Sequence, residues 1–184
     1  MDFDNEKKQA LNKLDKSKKG EIDVQILSLI KKVNKNPDYY TTSSCAGRVM
    51  ILKESERKDG VEWVFSSHEA VKYSEIGRHL ADVPEETLWF RMEPPIFHVC
   101  CRDINAAETL IKIANNSGFR RSGIIGIKKR IIVEILFPEK MDAPISEKGS
   151  MIVEEAYLKR LIYYANSKLK KTRKKLKIFE ELFP

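Results

Sequence analysis

Ile96-Phe97-His98-Val99-Cys100-Cys101-Arg102 is the stretch on which the fold turns. In an extended chain His98, Cys100 and Arg102 share one face, while Phe97, Val99 and Cys101 share the other. One face can pack and the other can meet a ligand. Asp103 follows as a helix cap, and Ile104, Ala107, Leu110, Ile111 and Ala114 trace an amphipathic helix that Gly118 ends. Next come strands near Arg120 to Ile127 and Ile131 to Phe137, turning at Lys128-Lys129-Arg130, with an isoleucine density that implies burial on both faces.

Upstream, Pro94-Pro95 interrupts a strand pair that follows a helix from about Glu69 to Leu80. The apolar runs Arg48 to Lys53 and Val61 to Ser66 flank Asp59-Gly60, a hairpin signal. From Glu21 to Asn34, Ile22, Ile26, Leu29, Ile30 and Val33 recur at helical spacing until Pro37 stops the pattern. Hairpin, helix, strand, helix, hairpin describes two related halves of an α+β fold with a largely antiparallel, barrel-like sheet. Residues 1–19 form a basic surface helix ending in a turn at Lys19-Gly20. After a loop around Asp142-Ala143-Pro144, a long helix runs from about Met151 to Glu181 on a stripe of Val153, Tyr157, Leu161, Tyr164 or Ala165, Leu169, Leu176 and Phe179.

Length and charge narrow the class. A chain of 184 residues with 42% hydrophobic residues can bury one substantial core, so one domain spanning 1–184 is expected. Thirty-four Lys and Arg against 27 Asp and Glu give a net charge of +7 and favour a polyanionic partner, nucleic acid before membrane. The charged first 19 residues contain no apolar core of a secretory signal, and no run reaches the ~20 apolar residues of a membrane span. Three cysteines, two adjacent, match neither a disulfide framework nor a metal site, and the expected setting is a reducing cytoplasm with no bound metal. No G-x-G-x-x-G follows a strand, so a Rossmann cofactor site is unsupported.

The chemistry concentrates in Tyr39-Tyr40-Thr41-Thr42-Ser43-Ser44-Cys45-Ala46-Gly47-Arg48, just before the apolar run Val49-Met50-Ile51-Leu52. Small hydroxyls beside a glycine let another molecule approach the backbone, and the arginine offers a planar fork for carboxylate or phosphate. The bland alternative is a strand edge capped by local hydrogen bonds. Taken with Trp63 and His68, with His98-Val99-Cys100-Cys101-Arg102, and with Gly118-Phe119-Arg120-Arg121-Ser122-Gly123-Ile124, this order resembles the wybutosine-synthesising tRNA methyltransferases that act third in that pathway. The approach segment 15–23 is similar to theirs as well. The resemblance covers most of residues 2–180, and a chain this short resembles the archaeal stand-alone form.

The resemblance implies an S-adenosylmethionine-dependent enzyme that methylates nitrogen-4 of the tricyclic base beside the anticodon of phenylalanine tRNA. One departure is Ala46, where the family pattern has serine. Cofactor contacts are expected from Ser43, Ser44, Cys45, Gly47, Arg48, Ser122 and Gly123. Substrate contacts are expected from Tyr40, His68, Arg102, Arg120, Arg121, Lys170, Lys171 and Lys174, with Tyr39, Tyr40 and Trp63 as stacking candidates. His98 is the candidate for catalysis; its competing reading is a satisfied core histidine. Without the resemblance, the composition describes a non-catalytic RNA-binding module, and binding of S-adenosylmethionine separates the two.

Overall fold

Alternation along residues 96–102 is realised as the second strand of a four-stranded antiparallel sheet. The computed structural model describes residues 2–12, 22–54 and 62–184. The turn expected at Lys19-Gly20, the Asp59-Gly60 connection and part of the segment 15–23 lie outside them. In chain order the elements are α1 (Phe3–Leu11), α2 (Leu27–Lys35), β1 (Tyr39–Cys45), β2 (Arg48–Lys53), β3 (Glu62–Ser67), α3 (Tyr73–Gly77), β4 (Leu88–Glu93), β5 (Ile96–Cys101), α4 (Ile104–Asn116), β6 (Gly123–Gly126), β7 (Ile131–Leu136), β8 (Met141–Glu147), β9 (Ser150–Met151) and α5 (Glu155–Leu182). Short 3₁₀ turns occupy Val24–Ile26 and Arg78–Leu80.

These elements form two compact units. The first comprises the described residues of Met1–Ala46, Pro95–Pro138 and Thr172–Pro184, with strand order β1-β5-β7-β6. Phe97, Val99 and Cys101 are buried against Leu29, Ile30 and Val33 of α2, Leu110 and Ala114 of α4, and Leu176 and Phe179. Phe119 meets Phe137 and Phe179 edge-on at 5.6 and 5.9 Å. Asp103 caps α4 by accepting from the Ala106 amide at 2.8 Å, and Gly118 leaves the helix at φ +90°, a region that favours glycine. The second unit comprises the described residues of Gly47–Pro94 and Glu139–Lys171, with strand order β3-β2-β4-β8-β9. Val49, Ile51, Leu88, Phe90 and Met92 pack on Leu158, Leu161, Ile162, Ala165 and Leu169.

The barrel-like sheet is corrected to two separate antiparallel sheets. Ala46-Gly47, with Gly47 at φ +78°, separates β1 from β2, so β1 pairs with β5 while β2 pairs with β3 and β4. Several local expectations also change. Thr41 to Cys45 is itself strand, and Asp142-Ala143-Pro144 lies within β8. Proline is tolerated there because β9 pairs only with Ser146 and Glu147, leaving that part of β8 at an edge. The helix expected over 69–80 shrinks to α3 and a 3₁₀ turn, and α5 begins at Glu155 because β9 takes Ser150–Met151. Ile124 and Ile125 are exposed, not buried, because β6 is an edge strand. Tyr157, expected in the apolar stripe of α5, faces outward and Leu158 takes its place, while of Tyr164 and Ala165 it is Ala165 that is buried. Among the described residues no helix is long and apolar enough to cross a membrane.

Candidate functional site

A β-bulge at Thr42 sets up the most chemically suggestive arrangement in the first unit. Thr41 pairs with Val99, but Ser43, not Thr42, pairs with His98, and His98 pairs with Glu134, which pairs with Gly123. The extra residue turns Ser43 to the same side of the sheet as His98; bulges commonly re-aim side chains this way. Thr42 is held by its hydroxyl donating to the His98 carbonyl at 3.2 Å. The row Ser43, His98, Glu134, Gly123 therefore crosses all four strands on the face opposite the core.

His98 Nε2 lies 3.0 Å from Glu134 Oε1. A carboxylate accepts, so Nε2 carries the hydrogen and the neutral ring presents Nδ1 as an acceptor. His98 and Glu134 side chains are 30% and 26% exposed, accessible yet shielded enough for their hydrogen bond to matter. Gly123 keeps the row open, since a Cβ there would meet nothing within 4 Å. Glu134 escaped the sequence reading. Its signal was a carboxylate in the middle of Ile131-Ile132-Val133-Glu134-Ile135-Leu136, which demands a partner on a neighbouring strand.

Other expected site residues of this unit are otherwise engaged. Tyr40 is fully buried, its ring 5.4 Å from Phe3 and its hydroxyl 3.5 Å from Glu6, so the expected stacking on a base is corrected: no face of the ring is free. Burial drives its phenol upward in pKa. Arg102 donates to Asp4 at 2.6 Å and Asp38 at 2.9 Å and lies 4.6 Å over the Phe3 ring. Its guanidinium ties α1 to the sheet through these two carboxylates. The Ser122 hydroxyl donates to the Phe119 carbonyl at 2.7 Å and accepts from the Leu136 amide at 3.4 Å. Arg120 and Arg121 stand between α4 and β6, both exposed. Cys100 and Cys101 are buried; burial raises both thiols, Cys101 to about 12, so neither is an activated nucleophile. Cys45 is half-buried. Ala46 is fully buried and its amide donates to Asp23 at 2.7 Å, so the departure from serine removes a hydroxyl from the core.

In the second unit, Arg48 forms an ion pair with Glu93 at 3.1 Å and lies 4.4 Å over the Trp63 ring. Carboxylate and ring together fix the plane of the guanidinium. Gly47 is buried, and its carbonyl accepts from His68 Nδ1 at 2.8 Å, which places the hydrogen of that ring on Nδ1. Lys170 and Lys171 are exposed on α5, with Lys171 2.7 Å from Glu139; Lys174, in the first unit's share of α5, is exposed as well.

A model of the family described as Methyltransferase TYW3 matches residues 5–184. The chain belongs to this family. A TYW3 relative from Methanocaldococcus jannaschii is 39% identical over 178 residues, covering 94% of this chain and 92% of its own length; it is named tRNA(Phe) 7-((3-amino-3-carboxypropyl)-4-demethylwyosine(37)-N(4))-methyltransferase. A Xenopus laevis relative, named tRNA wybutosine-synthesizing protein 3 homolog, is 32% identical and covers 96% of this chain and 72% of its own. The solved structure of the PH1069 protein from Pyrococcus horikoshii matches with a TM-score of 0.92 at 34% identity, over 100% of this chain and 96% of that one. A hypothetical protein from Aeropyrum pernix matches with a TM-score of 0.75 at 29% identity, over 87% of this chain and 98% of that one. The TYW3 fold is thus the α+β, non-Rossmann architecture expected from the sequence, and the chain is a member of a methyltransferase family.

Proposed function

We propose that this protein methylates nitrogen-4 of the tricyclic wyosine-type base beside the anticodon of phenylalanine tRNA, with S-adenosylmethionine as methyl donor, in the cytoplasm. Whole-length likeness to relatives named for that reaction carries the reading. S-adenosylmethionine supplies a methyl group on a sulfonium, a strong electrophile that needs no covalent help from the protein. The protein's work is to position the acceptor, exclude water and take a proton.

A ring nitrogen bearing hydrogen must lose it as it gains a methyl group. His98 is suited to receive it, because Glu134 holds the hydrogen on Nε2 and Nδ1 is left to accept the substrate's proton. Glu134 then stabilises the imidazolium that forms. The exposed Ser43 hydroxyl and the half-buried Ser44 offer polar contacts at the end of β1, and their donor and acceptor capacity fits a zwitterionic amino-acid group. In the second unit the oriented guanidinium of Arg48 suits an anion, carboxylate or phosphate.

Calorimetric titration of S-adenosylmethionine, with and without tRNA bearing the tricyclic base, tests the reading. Micromolar binding, lost in Arg48→Ala, is the expected result. Absence of binding in both conditions, with tRNA still held, would leave a non-catalytic RNA-binding protein.

A further inference from the structure

The outward face of α5 carries a pattern that neither solubility nor the methyl-transfer site accounts for. Exposed positions recur at 160, 163, 164, 167, 170 and 171, one stripe at helical spacing, occupied by Arg160, Tyr163, Tyr164, Ser167, Lys170 and Lys171. Tyr163 is 68% exposed and Tyr164 52%, and their rings stand edge-on at 5.3 Å. From Ala156 to Phe179 the helix has nine Lys or Arg and no Asp or Glu, more positive charge than the whole chain's net +7. A helix face that serves only solubility mixes both signs at i, i+4, and this one does so only at its start, with Glu155 and Lys159. Arg160 and Lys170 have no ion-pair partner among the described residues.

We infer that this stripe docks an unpaired segment of RNA, with Tyr163 and Tyr164 stacking on bases and Arg160, Lys170 and Lys171 following the phosphates. Charge complementarity selects a polyanion. The exposed aromatic pair selects one with accessible base faces, because stacking needs bases that are not already stacked in a duplex. The inference rests on the tRNA reading above and deepens it: α5 grips the loop region of the substrate, apart from the reacting base.

The test is fluorescence-anisotropy binding of an unmodified phenylalanine tRNA transcript and of a short fully paired RNA duplex, each across a range of salt. Replacing both tyrosines, Tyr163→Ala with Tyr164→Ala, is expected to weaken tRNA binding roughly tenfold or more and leave duplex binding unchanged. Lys170→Ala with Lys171→Ala weakens both RNAs and lowers the slope of log affinity against log salt by roughly 1 to 2. Tyrosine variants that hold tRNA as tightly as the parent overturn the inference while leaving the methyltransferase reading intact. A parent that binds anionic vesicles but no RNA overturns both. If S-adenosylmethionine does not bind but the RNA pattern appears, the docking surface stands and the methyltransferase reading falls.

Discussion

Glu134→Gln is the substitution that probes the candidate chemistry most directly. It preserves size and a carbonyl oxygen that can still accept from His98 Nε2, so the ring stays oriented, but it removes the negative charge that stabilises an imidazolium. A hydrogen bond to a charged group contributes ~1.5–3 kcal/mol, and partial exposure of both side chains, 30% and 26%, brings this to about 1–2 kcal/mol. That corresponds to a fall of roughly 5- to 30-fold in kcat, with KM for tRNA unchanged. Single-turnover methyl transfer at saturating tRNA measures it, with thermal melting to show that the fold is kept. The decisive comparison is a double-mutant cycle with His98→Asn. If Glu134 acts through His98, the double variant is no slower than His98→Asn alone. A Glu134→Gln enzyme with parental kcat, or fully additive losses, would refute the role.

Three further outcomes are expected. Arg48→Lys keeps a positive charge opposite Glu93 but loses the planar stack on Trp63, and calorimetry should find affinity for S-adenosylmethionine or tRNA down about tenfold; parental affinity for both would rule out an anion-binding Arg48. Glu139 is held below the usual carboxylate range, first by its hydrogen bond with Lys171 and then by Lys168, so its contribution to stability is present above about pH 4.3 and disappears as pH falls through its lowered folded value. Glu139→Gln should therefore melt below the parent at neutral pH and converge with it in acid, and a constant gap at all pH values would contradict the assignment. Phe179→Ala, at a side chain 1% exposed against Phe119 and Phe183, should cost ~3–5 kcal/mol in urea unfolding; a loss below about 1 kcal/mol would mean that the first unit's core is not built around it.

Elements with a single apolar face were legible in the sequence; those defined by pairing were not. Phe97, Val99 and Cys101 announce a buried face by alternation alone, and Asp103 and Gly118 punctuate α4 by local chemistry. β1 was legible only as the strand edge weighed as an alternative, because its outer half is Thr41-Thr42-Ser43-Ser44, whose hydroxyls give no apolar alternation, and because the bulge breaks the period. β8 was hidden by Pro144, which only an edge position tolerates. The division into two sheets depends on which strands pair across the chain, a non-local fact that local patterns do not carry. A tyrosine near an apolar stripe looks buried, which assigns Tyr157 to the packed face of α5; the neighbouring Leu158 fits that face better.

The same register separates the three residues that alternation places together on one face of β5. Cys100 lies opposite the buried Tyr40, under Phe3 and Glu6 of α1, and Arg102 is bound by Asp4 from that helix and by Asp38. His98 is half-buried, with a carboxylate partner directly across the strand pair and an exposed serine hydroxyl on its other side. A core histidine would sit among Phe97, Val99 and Cys101, on the opposite side of the sheet. The geometry therefore argues against the satisfied-core reading of His98. With Tyr40 and Cys100 buried beneath α1 and Arg102 paired with Asp4 of that helix, α1 occupies the end of this face beyond the row that the Thr42 bulge assembles.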